Sequence, residues 1–128
     1  MLIEIRERFS GRVLFAHDHE RGTMRIALEA AVRRRRNLYG AMLMGVNLTG
    51  AKLRGAKLCD ADLHQAWLGC DLSEADLSGA DLRGANLSNA NLQGAVLRCA
   101  HLDRTNLRRA DLNGADVDPL FDLRGAIL

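Results

Sequence analysis

Ala75-Asp76-Leu77-Ser78-Gly79-Ala80-Asp81-Leu82-Arg83-Gly84-Ala85-Asn86-Leu87-Ser88-Asn89 is one five-residue phrase written three times. Leucine holds its centre, alanine stands two places before, and Asp or Asn fills the place between. Read outward, the same step runs back through Leu72 to Leu38 and forward through Leu92, Leu97, Leu102, Leu107 and Leu112 to Val117. A step of five matches neither the 3.6 of a helix nor the 2.0 of a plain strand. It calls for a short extended stretch that turns a corner once per unit. Alanine and leucine, two residues apart, then share the inner side, and the Asp or Asn between them faces out. The unit's last position is often glycine, as at Gly40, Gly45, Gly50, Gly55, Gly79, Gly84, Gly94, Gly114 and Gly125. Glycine there fits a tight turn with positive φ. Stacked turns of this kind wind a solenoid, with coils about 4.8 Å apart and a narrow, densely packed leucine bore.

The pattern A-(D/N)-L-x-x resembles the pentapeptide-repeat proteins, and the resemblance runs from Leu38 to Val117. It implies a mainly β fold, a right-handed quadrilateral β-helix with four units per coil. The Asp/Asn column and most x positions are then expected to face solvent.

Three segments are read from this pattern: residues 1–36, 37–117 and 118–128, together forming one structural domain. In the first, Leu2 to Arg6 alternates as a strand, Phe9-Ser10-Gly11 is a turn and Arg12 to His17 is a second strand, a β-hairpin. Thr23 is an N-cap candidate. Met24, Ala27, Leu28, Ala31 and Val32 then form an apolar helical stripe ending near Arg36, with Glu29 and Arg33 as an i,i+4 pair. A solenoid's open end exposes core and strand edges, so the hairpin and helix are expected to cap it. In the repeats, Leu68 and Leu72 are four apart rather than five, which predicts a tightened corner or a slight kink. At the far end Asp118-Pro119-Leu120-Phe121 breaks the pattern, and Pro119 to Leu128 reads as a closing cap or a dimer contact, leaving a monomer or weak homodimer.

No stretch approaches the roughly 20 apolar residues of a membrane span, and the start lacks a signal peptide's apolar core. The three cysteines, Cys59, Cys70 and Cys99, make no disulfide framework, and a reducing, cytoplasmic setting is expected. Cys70 takes an alanine slot as a small buried filler. His17-Asp18-His19-Glu20 reads as a polar turn rather than a metal site, and His64 and His101 stand alone. No cofactor, metal or catalytic residue is assigned, and the chain is read as no enzyme.

Net charge is +2, but residues 1–36 hold nine Arg against five acids, and the remainder nine Lys/Arg against eleven acids. Arg33 to Arg36 either complements a helix C-terminus or touches nucleic acid; the first reading is preferred, so no direct nucleic-acid partner is expected. Between Leu58 and Leu82 lie Asp60, Asp62, Asp71, Glu74, Asp76 and Asp81, without a Lys or Arg. Four units per coil stack residues about twenty apart. Met42, Asp62, Asp81 and His101 then share one wall, and Asn47, Trp67, Asn86 and Asn106 the next. Lys52, Asp71, Asn91 and Asp111 follow, with Asn37, Lys57, Asp76, Val96 and Asp116 on the fourth.

An acidic rod can imitate duplex DNA, and the resemblance implies a family that includes such mimics. The leading expectation is a phage or mobile-element inhibitor of anti-CRISPR or gyrase-inhibitor type. It would occupy the DNA site of a protein partner such as a CRISPR effector or DNA gyrase, using the six acids as phosphate surrogates. Against this, the same acids can simply solvate walls and support turns. The alternative is an adaptor solenoid that binds a protein through the Trp67 face. Trp67 itself is either a contact hot spot or a plug over the four-residue step.

Overall fold

The computed structural model describes residues 1–118 and 126–128. The fold begins with β1 (Leu2–Arg6) and β2 (Val13–Asp18), an antiparallel hairpin, followed by α1 (Met24–Arg33). From Asn37 onward the chain makes one short bridge per five residues and a turn between bridges.

The parallel bridges count out the coil. Asn37 pairs with Lys57, Met42 with Asp62 and Asn47 with Trp67, twenty apart. Pairs that span the short step, such as Lys52 with Asp71 and Asp62 with Asp81, are nineteen apart. Four units therefore close each coil, and the four walls contain the residues that the spacing predicts. Backbone bonds run from coil to coil, for instance Leu63 N to the Asp81 carbonyl and Leu82 N to the His101 carbonyl, both 2.9 Å.

Leucines from Leu38 through Leu107 are buried, most of them completely, with alanines between them. Toward the C-terminal end the bore opens. Leu112 is only partly buried and Val117 is 40% exposed, contrary to its expected place in the core. Among the described residues only 118 and 126–128 follow it, and Ile127 bridges Asn106 on the second wall. The expected cap or dimer contact at Pro119 to Leu128 lies mostly outside the described residues.

Every regular corner is a turn in which the central leucine's carbonyl accepts from the N–H three residues on, as from Ala80 to Leu77 at 3.0 Å. The third residue of that turn has positive φ, the requirement of a type II turn. Glycine meets it at Gly79 (φ 66), where an added Cβ would also collide with the Asp60 carboxylate. Glycine is not universal. Asp60, Gln65, Glu74, Asn89, Cys99, Arg104 and Arg109 adopt the same conformation with φ of 54 to 60. The short step is resolved at its own corner. Cys70 N donates to the Leu68 carbonyl at 2.6 Å, closing over three residues instead of four. The walls on either side keep their ladders.

The N-terminal segment lies on the first coil. Ile5, Phe15 and Leu28 belong to the same apolar cluster as Leu38. Met42 N donates to the Arg6 carbonyl at 2.7 Å, Arg8 N to Gly40 at 2.8 Å, and Lys52 N to the Glu29 carboxylate at 3.0 Å. Arg25 donates to the Thr49 and Gly50 carbonyls. Edge groups that would otherwise await another strand are thus occupied. Glu29 pairs with Arg25 at 3.3 Å rather than with Arg33, because its carboxylate is turned toward Lys52. Thr23 caps α1 by accepting from Ile26 N. The helix stops at Arg33, three residues before the sequence suggests. Arg35 swings to φ 51, and Arg35 N and Arg36 N bond back to Val32 and Ala31, the closure of a Schellman motif.

Candidate functional site

The column presents four ladders of outward side chains, and the Asp/Asn rung explains itself locally first. Its Oδ1 accepts the N–H two residues on: Tyr39 for Asn37, His64 for Asp62, Ser73 for Asp71, Ser78 for Asp76, Arg83 for Asp81, Ser88 for Asn86. This is the side-chain turn that Asx residues favour. Ser73 and Ser78 hydroxyls add a second bond to Asp71 and Asp76, each 2.6 Å.

The six acids of the sequence belt do not form one plane. Asp62 and Asp81 stand on the first wall, Asp71 on the third and Asp76 on the fourth, with Asp60 and Glu74 at the two corners flanking the fourth. Nor is the belt free of cations. Arg54, from the coil before, reaches Glu74 at 2.7 Å. Arg83, two residues after Asp81, grips it through Nε and Nη2 at 2.9 and 2.6 Å. That grip holds the Asp81 carboxyl down at about 2, and the residue is only 4% exposed. Asp81 and Glu74 are therefore paired groups rather than open surrogates for phosphate. Asp60, Asp62, Asp71 and Asp76 are half-buried and, among the described residues, make no ion pair with Lys or Arg. The Asp60 carboxylate faces the Tyr39 hydroxyl and pushes its pKa up.

His64 is not isolated either: its Nδ1 sits 2.6 Å from Asp62. With Asp81 this brings three ligand-type atoms within 4.8 Å of one another. Of these, Asp81 is already held by the Arg83 guanidinium and Asp62 by His64. At His17-Asp18-His19-Glu20 the rings of His17 and His19 stack, and Asp18 binds the chain's amino terminus at 2.9 Å. Cys70 is buried, and burial pushes its thiol up to about 12.

Trp67 stands on the second wall, 55% exposed, with Asn47 and Asn86 bridged on either side. It borders a shallow hollow with Thr49, Gly69, Asn86, Ser88 and Asn89. No lining residue is charged. The indole adjoins the tightened corner but leaves more than half its area to solvent.

Sequence reasoning missed Thr105 in an alanine slot. It is fully buried, and its hydroxyl donates to the Leu82 carbonyl at 2.7 Å. No signal short of the repeat alignment itself would have marked it. Among the described residues no helix is long and apolar enough to cross a membrane.

Comparison with known proteins gives one consistent result. The family model described as pentapeptide repeats matches residues 35–65, 47–98 and 85–118. A pentapeptide-repeat protein from Nostoc PCC 7120 is 39% identical over 68% of this chain and 75% of its own, with a TM-score of 0.52. One from the thylakoid lumen of Arabidopsis thaliana is 31% identical, with a TM-score of 0.51; the match covers 66% of this chain and 59% of that one. No curated protein matches the chain.

Proposed function

The chain belongs to the pentapeptide-repeat family, whose fold is a right-handed β-helix, and on that premise we propose a non-enzymatic, protein-binding solenoid that engages its partner through the Trp67 wall. The observation that carries this is a large aromatic side chain, 55% exposed, on a rigid wall whose neighbours are neutral amides and hydroxyls. Such a surface costs less to desolvate than a charged one, and an indole supplies contact area with little conformational entropy to lose. The ladder behind it is already ordered, so the cost of binding is reduced. The hairpin and α1 act in this reading as the N-terminal cap, supported by their bonds to Met42, Thr49, Gly50 and Lys52.

A second reading rests on a different observation. The carboxylates of Asp60, Asp62, Asp71 and Asp76 span three adjoining walls without an ion pair to Lys or Arg among the described residues. They support mimicry of duplex DNA toward a DNA-handling protein such as a CRISPR effector or gyrase, on behalf of a phage or mobile element. The mimic is then a patch of four acids rather than six.

One experiment separates the two. A partner captured by the wild-type chain is titrated with Trp67→Ala and with the double variant Asp71→Lys/Asp76→Lys. The Trp67 reading expects the first to lose roughly 30-fold or more in affinity, the second to bind normally, and salt to matter little. The indole is the chain's single tryptophan, so its emission should also shift on binding. Loss in the acidic variant alone, with steep salt dependence, rejects the Trp67 wall and supports mimicry.

A further inference from the structure

The fold gathers cations that the sequence scatters. Arg33 to Arg36 close α1, Arg12 opens toward them from the hairpin, Arg54 comes from a corner of the first coil, and Lys57 from the wall that starts the second. They surround two adjoining hollows that share Arg35 and Arg36. One is completed by Arg54 and Lys57, the other by Arg12. All these side chains are exposed. Among the described residues of this group, Arg54 alone makes an ion pair, with Glu74, while Arg12 lies near enough to Glu7 to help the Ser10 hydrogen bond lower that carboxyl's pKa. Asp76 follows Lys57 up the fourth wall but forms no ion pair with it.

A helix dipole favours cations at the end of α1, but it does not explain Arg12, Arg54 or Lys57, which belong to other segments. Arg35 takes φ 51 to close the helix and leaves its side chain exposed beside both hollows. Arg34 and Arg36 are held over the Phe15 ring, 5.6 and 6.0 Å from its centroid.

We infer that this surface binds the phosphodiester backbone of a duplex nucleic acid, without reading its sequence. Arginine forks match phosphate oxygens in pairs, and the two hollows set these forks side by side on one open surface. No aromatic residue lines them, which leaves nothing for unpaired bases to stack on. Val13 is the one exposed large apolar side chain at their rims, too little to anchor in a bilayer. The site lies apart from the Trp67 hollow and stands whether or not that wall binds protein.

The test is anisotropy of a labelled random-sequence duplex with the full chain at several salt concentrations. For about four phosphate contacts, affinity should fall on the order of 100-fold between ~50 and ~200 mM salt. The triple variant Arg33→Gln/Arg35→Gly/Lys57→Gln should bind at least about tenfold more weakly, with the salt slope reduced by roughly 0.9 for each phosphate no longer neutralised. Arg35→Gly alone suits the left-handed backbone, so it keeps the fold while removing a charge; it should weaken binding by itself. Trp67→Ala should bind the duplex as the wild type does. Absence of wild-type binding at ~50 mM salt, equal affinity in the triple variant, or stronger binding to phosphatidylserine vesicles than to duplex would each overturn the inference.

Discussion

At the scale of single residues, the outward carboxylates have two occupations, and geometry sorts them. Asp81 is committed to its coil: it caps the turn through Arg83 N and is forked by the Arg83 guanidinium. Its folded pKa, about 2, lies below the ordinary value of 3.8. A depressed acid stabilises the fold above its unfolded pKa, and that contribution disappears as pH falls from about 4 toward 2. The Arg83 side chain is 59% exposed, so solvent screens the pair, and about 1 kcal/mol is a fair magnitude. Asp81→Asn should therefore lower stability by about that amount at neutral pH, and urea melts should show the gap closing below about pH 4. A gap that persists undiminished at pH 2.5 would show that the ion pair is not its source. Little of this was legible in the sequence, where Asp76 and Asp81 occupy the same place in phrases that differ only at Ser78 and Arg83. What distinguishes them is the side chain two places on: the Ser78 hydroxyl returns to Asp76 with one neutral hydrogen bond, whereas the Arg83 guanidinium returns to Asp81 with a charge and two bonds.

At the scale of the repeat unit, burial decides cost. Leu77 is fully enclosed between coils, whereas Leu112 near the open end is partly wet. Leu77→Ala should cost about 2–5 kcal/mol, as cavities in close-packed interiors do, and Leu112→Ala distinctly less. Denaturant midpoints compare the two directly; equal losses would contradict a core that thins toward residue 117. The unit was largely readable beforehand, because one apolar volume recurs at one spacing and inner and outer sides follow from strand alternation. The four walls could be counted even across the short step. Cross-coil partners could not be. Arg54 finds Glu74 twenty residues later, and Glu29 abandons Arg33 to meet Lys52, choices set by stacking rather than by local order. The early end of α1 was hidden too, since an arginine takes the left-handed position where a glycine would have announced the stop.

At the scale of the whole molecule, a column whose coils touch only their neighbours opens by loss of stacking along its axis. The cysteines report on this. Cys99 is exposed at a corner, whereas Cys70 is buried near the middle. Under native conditions a thiol reagent should modify Cys99 promptly and Cys70 slowest of the three, with mild denaturant sharply accelerating Cys70; mass spectrometry follows each site. Equal rates at Cys70 and Cys99 would mean that the middle of the column is not closed. The three-residue corner at Leu68 to Cys70 has a further consequence. Since this bend closes with one residue fewer while the flanking ladders stay paired, the chain's reading frame can be reset at a bend instead of being carried along its length. Lineages of such chains are then free to gain or lose single letters at bends without scrambling what faces inward, and gaps in their alignments should gather there.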